Sequence, residues 1–285
     1  NAFLTMGFLL RTRFVALLAV VLLFSGCQTD DFSTPEYRQS VVVDGWIEQG
    51  QPARVLLTLS SSFFANIDSA SLRDLIITRA KVTVSDGSQT EVLTLFRDDR
   101  YFPPYVYRTI SIKGAVGGTY FLKVEYQGRE ITAVTQIPQP QAIDDIQFEK
   151  KLDSDTLGSI KIRFTDRPDV DDYYRILNKI GFTGAFEPVF LPNIDGRLIE
   201  GKTVNVFVTP RVNGKMAYYT VGDTVNLRFC VMDKAGFDFW SSIHQTINSS
   251  QNPFASTNMR VKSNVVGGMG GWVGYGVSNY KFICK

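Results

Sequence analysis

The chain has 285 residues, 44% hydrophobic and 20% charged, with a formal net charge of +2. That length buries the core of one large or two modest domains, and so small a net charge gives no ground for nucleic-acid affinity or an acidic surface. With 21 Phe, 12 Tyr and many Val, Ile and Thr the composition leans toward strands, while one His and three Cys leave little room for imidazole or thiol chemistry.

The first element is an address. In "FLLRTRFVALLAVVLLFSGC", Arg11 and Arg13 precede the apolar run 14–24, and Ser25-Gly26 precede Cys27. The apolar run is eleven residues, too short to cross a bilayer comfortably. "LFSGC" resembles a bacterial lipobox, with Phe24 where Leu is commoner, and that resemblance implies lipidation of Cys27. "CQTDDF" resembles the acidic tag that sends Bacteroidota lipoproteins to the cell surface. The expectation is a lipoprotein signal peptide over 1–26, a polar tether over 27–40, and a lipid anchor in the outer membrane that faces the cell surface.

Short strands follow with period-two patterning. "VVVDGWI" opens the series, and "ARVLLTLSS" puts Val55, Leu57 and Leu59 on one face. "AKVTVSDGSQTEVLTLF" reads as two strands around Asp86-Gly87. "TYFLKVEYQGREITAVT" turns at Gln127-Gly128, with Tyr120, Leu122 and Val124 on one face. Strands and turns at this spacing predict a β-sandwich over 41–138. Pro138 and Pro140 remove ladder donors and set the boundary.

Within that first unit, "RYFPPYVYR" reads as a proline-stiffened loop that carries Tyr101, Phe102, Tyr105 and Tyr107. These are the candidate contacts for a glycan, a peptide or a partner, the alternative being that they cover the end of the sandwich.

Beyond the boundary, 139–285 reads as a second β-rich domain with a helix at about 233–250. Phe239, Ile243 and Ile247 stand four apart there, and Asn252-Pro253 stops the helix. In "VNLRFCVM", Val225, Leu227, Phe229 and Val231 alternate inward, so Cys230 takes the other face; its pairing with Cys284 stays open. The fold class expected is mainly β: two β-sandwich (immunoglobulin-like) units with one α-helix near the C-terminus.

Motifs for chemistry are absent from the sequence. In "SNVVGGMGGWVGYGVSN", Gly271, Gly274 and Gly276 reverse the dinucleotide spacing, and no Lys-Ser or Lys-Thr follows. A nucleophile system would have to use His244, on the predicted helix, and no G-x-S-x-G elbow exists. One His and no paired-Cys spacing exclude a zinc motif. The acidic run Asp166, Asp169, Asp171 and Asp172 lacks the EF-hand arrangement and reads as a solvated turn. The expectation is no enzyme, no cofactor and no metal.

Several segments together resemble one family. "VVVDGWIEQGQPARVLLTLSSSFF", "ITRAKVTVSDGSQTEVLTL", "GTYFLKVEYQGREITAVTQIP" and the tail "DFWSSIHQTINSSQNPFAS" with "SNVVGGMGGWVGYG" are similar in kind and order to the Bacteroidota lipoproteins called domain-of-unknown-function 4249 proteins. After Asn-Pro-Phe this chain reads "ASTNMRV", without the proline usual there. The resemblance implies an accessory lipoprotein that works beside a TonB-dependent outer-membrane receptor of the SusC type in nutrient capture. The alternative is a structural or adhesive surface lipoprotein with no transporter partner. The resemblance brings no catalytic residues.

Overall fold

The computed structural model describes residues 38–61, 68–250 and 261–285. The signal peptide, Cys27, the tether up to residue 37 and Asn252-Pro253 lie outside the described residues. The segment Gln39–Lys285 forms one compact unit.

The chain is mainly β, as its patterning requires. One eight-stranded sheet organises it, in the order Glu187–Asp195, Tyr173–Ile180, Thr224–Met232, Met269–Ile283, Val41–Glu48, Pro52–Leu59, Tyr105–Lys113 and Thr94–Arg97. Neighbours pair antiparallel except at the centre, where the closing strand Met269–Ile283 runs parallel to the opening strand Val41–Glu48. A parallel pair needs a long crossover, and here almost the whole chain serves as that crossover.

Both cores lie on one face of this sheet. Val43 and Ile47 of the opening strand and Trp272 of the closing strand enter the first core, which the strands Thr119–Tyr126, Arg129–Gln136 and Lys81–Ser85 of a five-stranded sheet cover. Further along the closing strand, Tyr280 and Phe282 pack at a second core with Leu227 and Phe229, under a four-stranded sheet centred on Leu157–Thr165. Trp272, Tyr280 and Phe282 are an even number of residues apart, so the pleat places them on the same side. The boundary expected at 138 therefore separates two cores but not two sheets. The 15-residue closing strand spans both sandwiches, so neither closes its core without it.

The connector after Gln136 passes between the two cores, flush against that strand. A Cβ on Gly274 would sit 2.4 Å from the Gln136 carbonyl oxygen, and one on Gly276 would sit 2.2 Å from that of Pro138. Bare backbone at alternate positions makes the groove that the connector occupies.

The opposite face of the sheet carries the helix Lys234–Ser250. Asp233 starts it, its carboxylate accepting from the Gly236 amide at 2.7 Å. Phe239 seats over Gly271, where a Cβ would fall 2.5 Å from the ring. The turn expected at Gln127-Gly128 is a two-residue hairpin: Tyr126 pairs with Arg129, and both turn residues have positive φ, 48° and 73°.

Cys230 and Cys284 are free and buried, and they lie in different clusters on opposite sides of the sheet. Burial raises the Cys230 thiol to about 12 and the Cys284 thiol to about 11. At pH 8 both stay protonated, so neither is a nucleophile. The native chain is expected to leave both unmodified by a thiol-specific alkylating reagent at that pH. Denaturant should expose them, and peptide mapping of the alkylated sites reads the difference.

Candidate functional site

Period-two alternation that fills the cores on one face writes a different sequence on the other. In the opening strand Val41, Val43 and Ile47 point into the first core, which leaves Asp44, Trp46 and Glu48 for the helix side. In Tyr173–Ile180, Tyr174 and Ile176 belong to the second core, while Arg175 and Leu177 face away from it. Arg228 and Cys230, then Tyr275, Val277 and Asn279, extend the same surface across the next two strands.

These side chains floor a cleft of ≈ 550 Å³. Its walls rise from three segments: the helix through Trp240, the loop 98–104 through Arg100 and Tyr101, and the loop 181–186 through Ala185 and Phe186. The floor is a hydrogen-bonded sheet, so its groups are held rigidly. Gln49 braces one end, its amide bonding both to the Val277 carbonyl (2.5 Å) and from the Val277 N–H (2.7 Å).

Aromatic rings define the sides. Tyr101 tilts against Trp46 at 5.4 Å between centroids. The loop that delivers it is pinned by the Arg100 guanidinium, which donates twice to the Asp98 carboxylate (2.8 and 2.6 Å). Opposite, Trp240 donates its indole N–H to the Tyr275 hydroxyl at 2.5 Å and carries the Arg175 guanidinium 4.0 Å above its ring. Phe186 lies 4.9 Å from the Arg228 guanidinium carbon.

The charges are unevenly matched. Glu48, only 6% exposed, forms an ion pair with Arg228. Burial works against the Arg228 charge, but the Glu48 carboxylate outweighs it and holds the guanidinium above its ordinary value. Arg175, 5% exposed, donates to Asn193 Oδ1 at 2.8 Å and makes no ion pair among the described residues. Burial pulls its pKa below the ordinary guanidinium value, with Tyr275, Cys230 and Asp44 opposing; an arginine stays charged at neutral pH regardless. Asp44 is exposed at the cleft surface, and the protein around it raises its carboxyl above the usual range while Arg175 pulls the other way.

Of the four aromatics expected to make contacts, the structure brings Tyr101 alone into this cleft. Phe102, 74% exposed, lies over a smaller hollow beside it, lined also by Asp44, Leu56 and Pro103. Tyr105 is half-buried at the start of its strand and outside the cleft lining. Tyr107 is a correction: it is 3% exposed in the first core, its hydroxyl accepting from the Ala80 N–H at 3.0 Å. The loop ends before it, and strand alternation from Tyr105 to Lys113 turns it inward.

The acidic run is only partly a solvated turn. Asp169 and Asp171 are exposed, whereas Asp166 and Asp172 are buried. Tyr174 donates to Asp166, and Arg167 clasps Asp172 twice, at 2.7 and 2.6 Å. Their work is to hold the strand start at Tyr173. No cluster of three or more metal-ligating side chains occurs among the described residues.

Sequence reasoning missed most of the cleft. A signal existed: Asp44, Trp46 and Glu48 fall at positions alternate to core Val43 and Ile47 in "VVVDGWIE", and Arg175 and Arg228 interrupt the apolar runs "YYRIL" and "LRFCVM". Charges and a Trp on the non-core face of a central strand mark a face that is used.

A family model described as "Domain of unknown function (DUF4249)" matches residues 29–281. No curated protein matches the chain.

Proposed function

The chain belongs to the domain-of-unknown-function 4249 family, whose description assigns no activity, and from the cleft we propose that the protein captures a small ligand rather than transforming one. One observation carries this: a ≈ 550 Å³ cleft whose aromatic walls flank fixed arginines on a rigid sheet floor. Its size and its mix of apolar surface with a few placed polar groups suit a small-molecule site. The cleft's two carboxylates do not form an acid–base pair. Asp44 and Glu48 stand four residues apart on one strand, which separates their Cα atoms by about 13 Å. Glu48 is also neutralised by Arg228, whereas hydrolysis by two carboxylates needs both free and about 5–10 Å apart.

The rest of the reading follows from the leader. A lipid on Cys27 and a short polar tether hold the cleft near the outer membrane, facing the cell surface, where it hands ligand to a TonB-dependent receptor. The proposal makes the protein a capture module for that receptor in nutrient uptake.

Purification from detergent-solubilised membranes tests it. The full chain is expected to bring down a large β-barrel protein, and native mass spectrometry should find a small molecule on it. Trp46→Ala should lose that molecule yet keep the barrel, and Cys27→Ser should free the protein from the membrane fraction. A chain that carries no small molecule and no barrel would end the capture reading.

A further inference from the structure

The charge balance of the cleft points further, on the premise that the cleft is the capture site. Its lining holds four arginines, Arg54, Arg100, Arg175 and Arg228, against two carboxylates, Asp44 and Glu48. Arg228 is paired with Glu48, and Arg100 with Asp98 outside the lining. What remains is Arg54 and Arg175 against Asp44 alone, an excess of one positive charge.

Arg175 is the decisive group. It is buried, it stacks on Trp240, and among the described residues its one hydrogen-bond partner is the neutral side-chain oxygen of Asn193. A buried guanidinium without a counter-charge is costly. Asp44 is close enough to feel it electrostatically but forms no ion pair with it within 4.0 Å. A donor nearby is unfilled: the buried Nε–H of Arg228 has no acceptor among the described residues.

We infer that the cleft binds a small ligand through a carboxylate, which Arg175 receives as a planar two-pronged acceptor while the ligand's flat or apolar body lies between Trp240 and the Trp46–Tyr101 pair. Guanidinium geometry matches a carboxylate, and the stacked indole holds the fork in plane. Two kinds of molecule share this chemistry, a peptide C-terminus bearing an aromatic side chain and a uronic-acid saccharide.

Probe pairs that differ only in charge provide the test. The full chain in detergent is titrated with Gly-Gly-Phe and its C-terminal amide, then with trigalacturonate and its methyl ester. Calorimetry and tryptophan fluorescence read binding; Trp46 and Trp240 line the cleft, whereas Trp272 is sealed in the first core. In at least one pair the carboxylate is expected to bind about 10–100-fold tighter than its neutral partner. Arg175→Gln should bring that ratio close to one, and Arg175→Lys should keep part of it, with thermal melting to confirm that each variant folds. The pair that responds identifies the source. Equal binding within each wild-type pair would overturn the carboxylate assignment and leave the capture reading standing. So would a ratio that survives Arg175→Gln. Absence of binding by every probe at millimolar concentration would also overturn it, and the capture reading would then rest on the co-purified molecule alone.

Discussion

Gly276→Val is expected to lower the melting temperature by about 6–12 °C or to prevent folding, because forcing a side chain into a filled space costs about 3 kcal/mol or more in a chain of this size. Gly276 needs no left-handed backbone, so the effect is one of contact alone. A Cβ there meets the Pro138 carbonyl oxygen at 2.2 Å and the Pro140 nitrogen at 2.8 Å. Both obstacles are backbone, and the two prolines stiffen the connector that carries them, so no rotamer change relieves the clash. The connector would have to lift off the closing strand, and it is the link between the two cores. Gly117→Ala is the control: its φ is +79° and nothing lies within 4 Å of its Cβ, so only the backbone preference is lost, about 1–2 kcal/mol. Differential scanning calorimetry of both variants separates the causes. Equal small losses would mean that the connector is not seated as the structure has it.

That comparison also shows where sequence reasoning reaches and where it stops. Alternation named the strands, since Val225, Leu227, Phe229 and Val231 do line the second core. Four-residue spacing named the helix at Phe239 and Ile243, which pack on the sheet's other face. These are local consequences of backbone period, visible in a dozen residues. The glycine segment was legible only in part. Its composition announces a place where backbone must come close, but not that a connector lies on one face at Gly274 and Gly276 and a phenylalanine ring on the other at Gly271. The cleft was less legible still. Glu48 lies opposite Tyr275 because the last strand of the chain returns to pair with the first, a contact across most of the sequence that no local pattern encodes. Tyr107 misled for the opposite reason. It follows two prolines and resembles a loop residue, while the tertiary fold resumes the strand at Tyr105 and buries it.

Glu48→Ala is expected to destabilise the protein by about 3–5 kcal/mol, read as a fall in the midpoint of urea unfolding at unchanged slope. Glu48 and Arg228 are an enclosed pair, their side chains 8% and 17% exposed. Removing the carboxylate leaves a guanidinium in the cleft floor beside Phe186, with its Nε–H already lacking an acceptor among the described residues. The loss is the desolvation of an unmatched charge rather than the worth of the bond itself. Glu48→Leu combined with Arg228→Met removes both charges at similar volume, and that double variant should return to within about 1 kcal/mol of the parent. It would then be a folded protein whose cleft has lost its paired charges and kept Arg175. If stability returns and carboxylate discrimination persists, the pair is part of the floor and Arg175 is the recognition group. A Glu48→Ala cost below about 1 kcal/mol would mean that cleft water solvates Arg228 as a surface pair is solvated, and the enclosed character of this part of the floor would have to be given up.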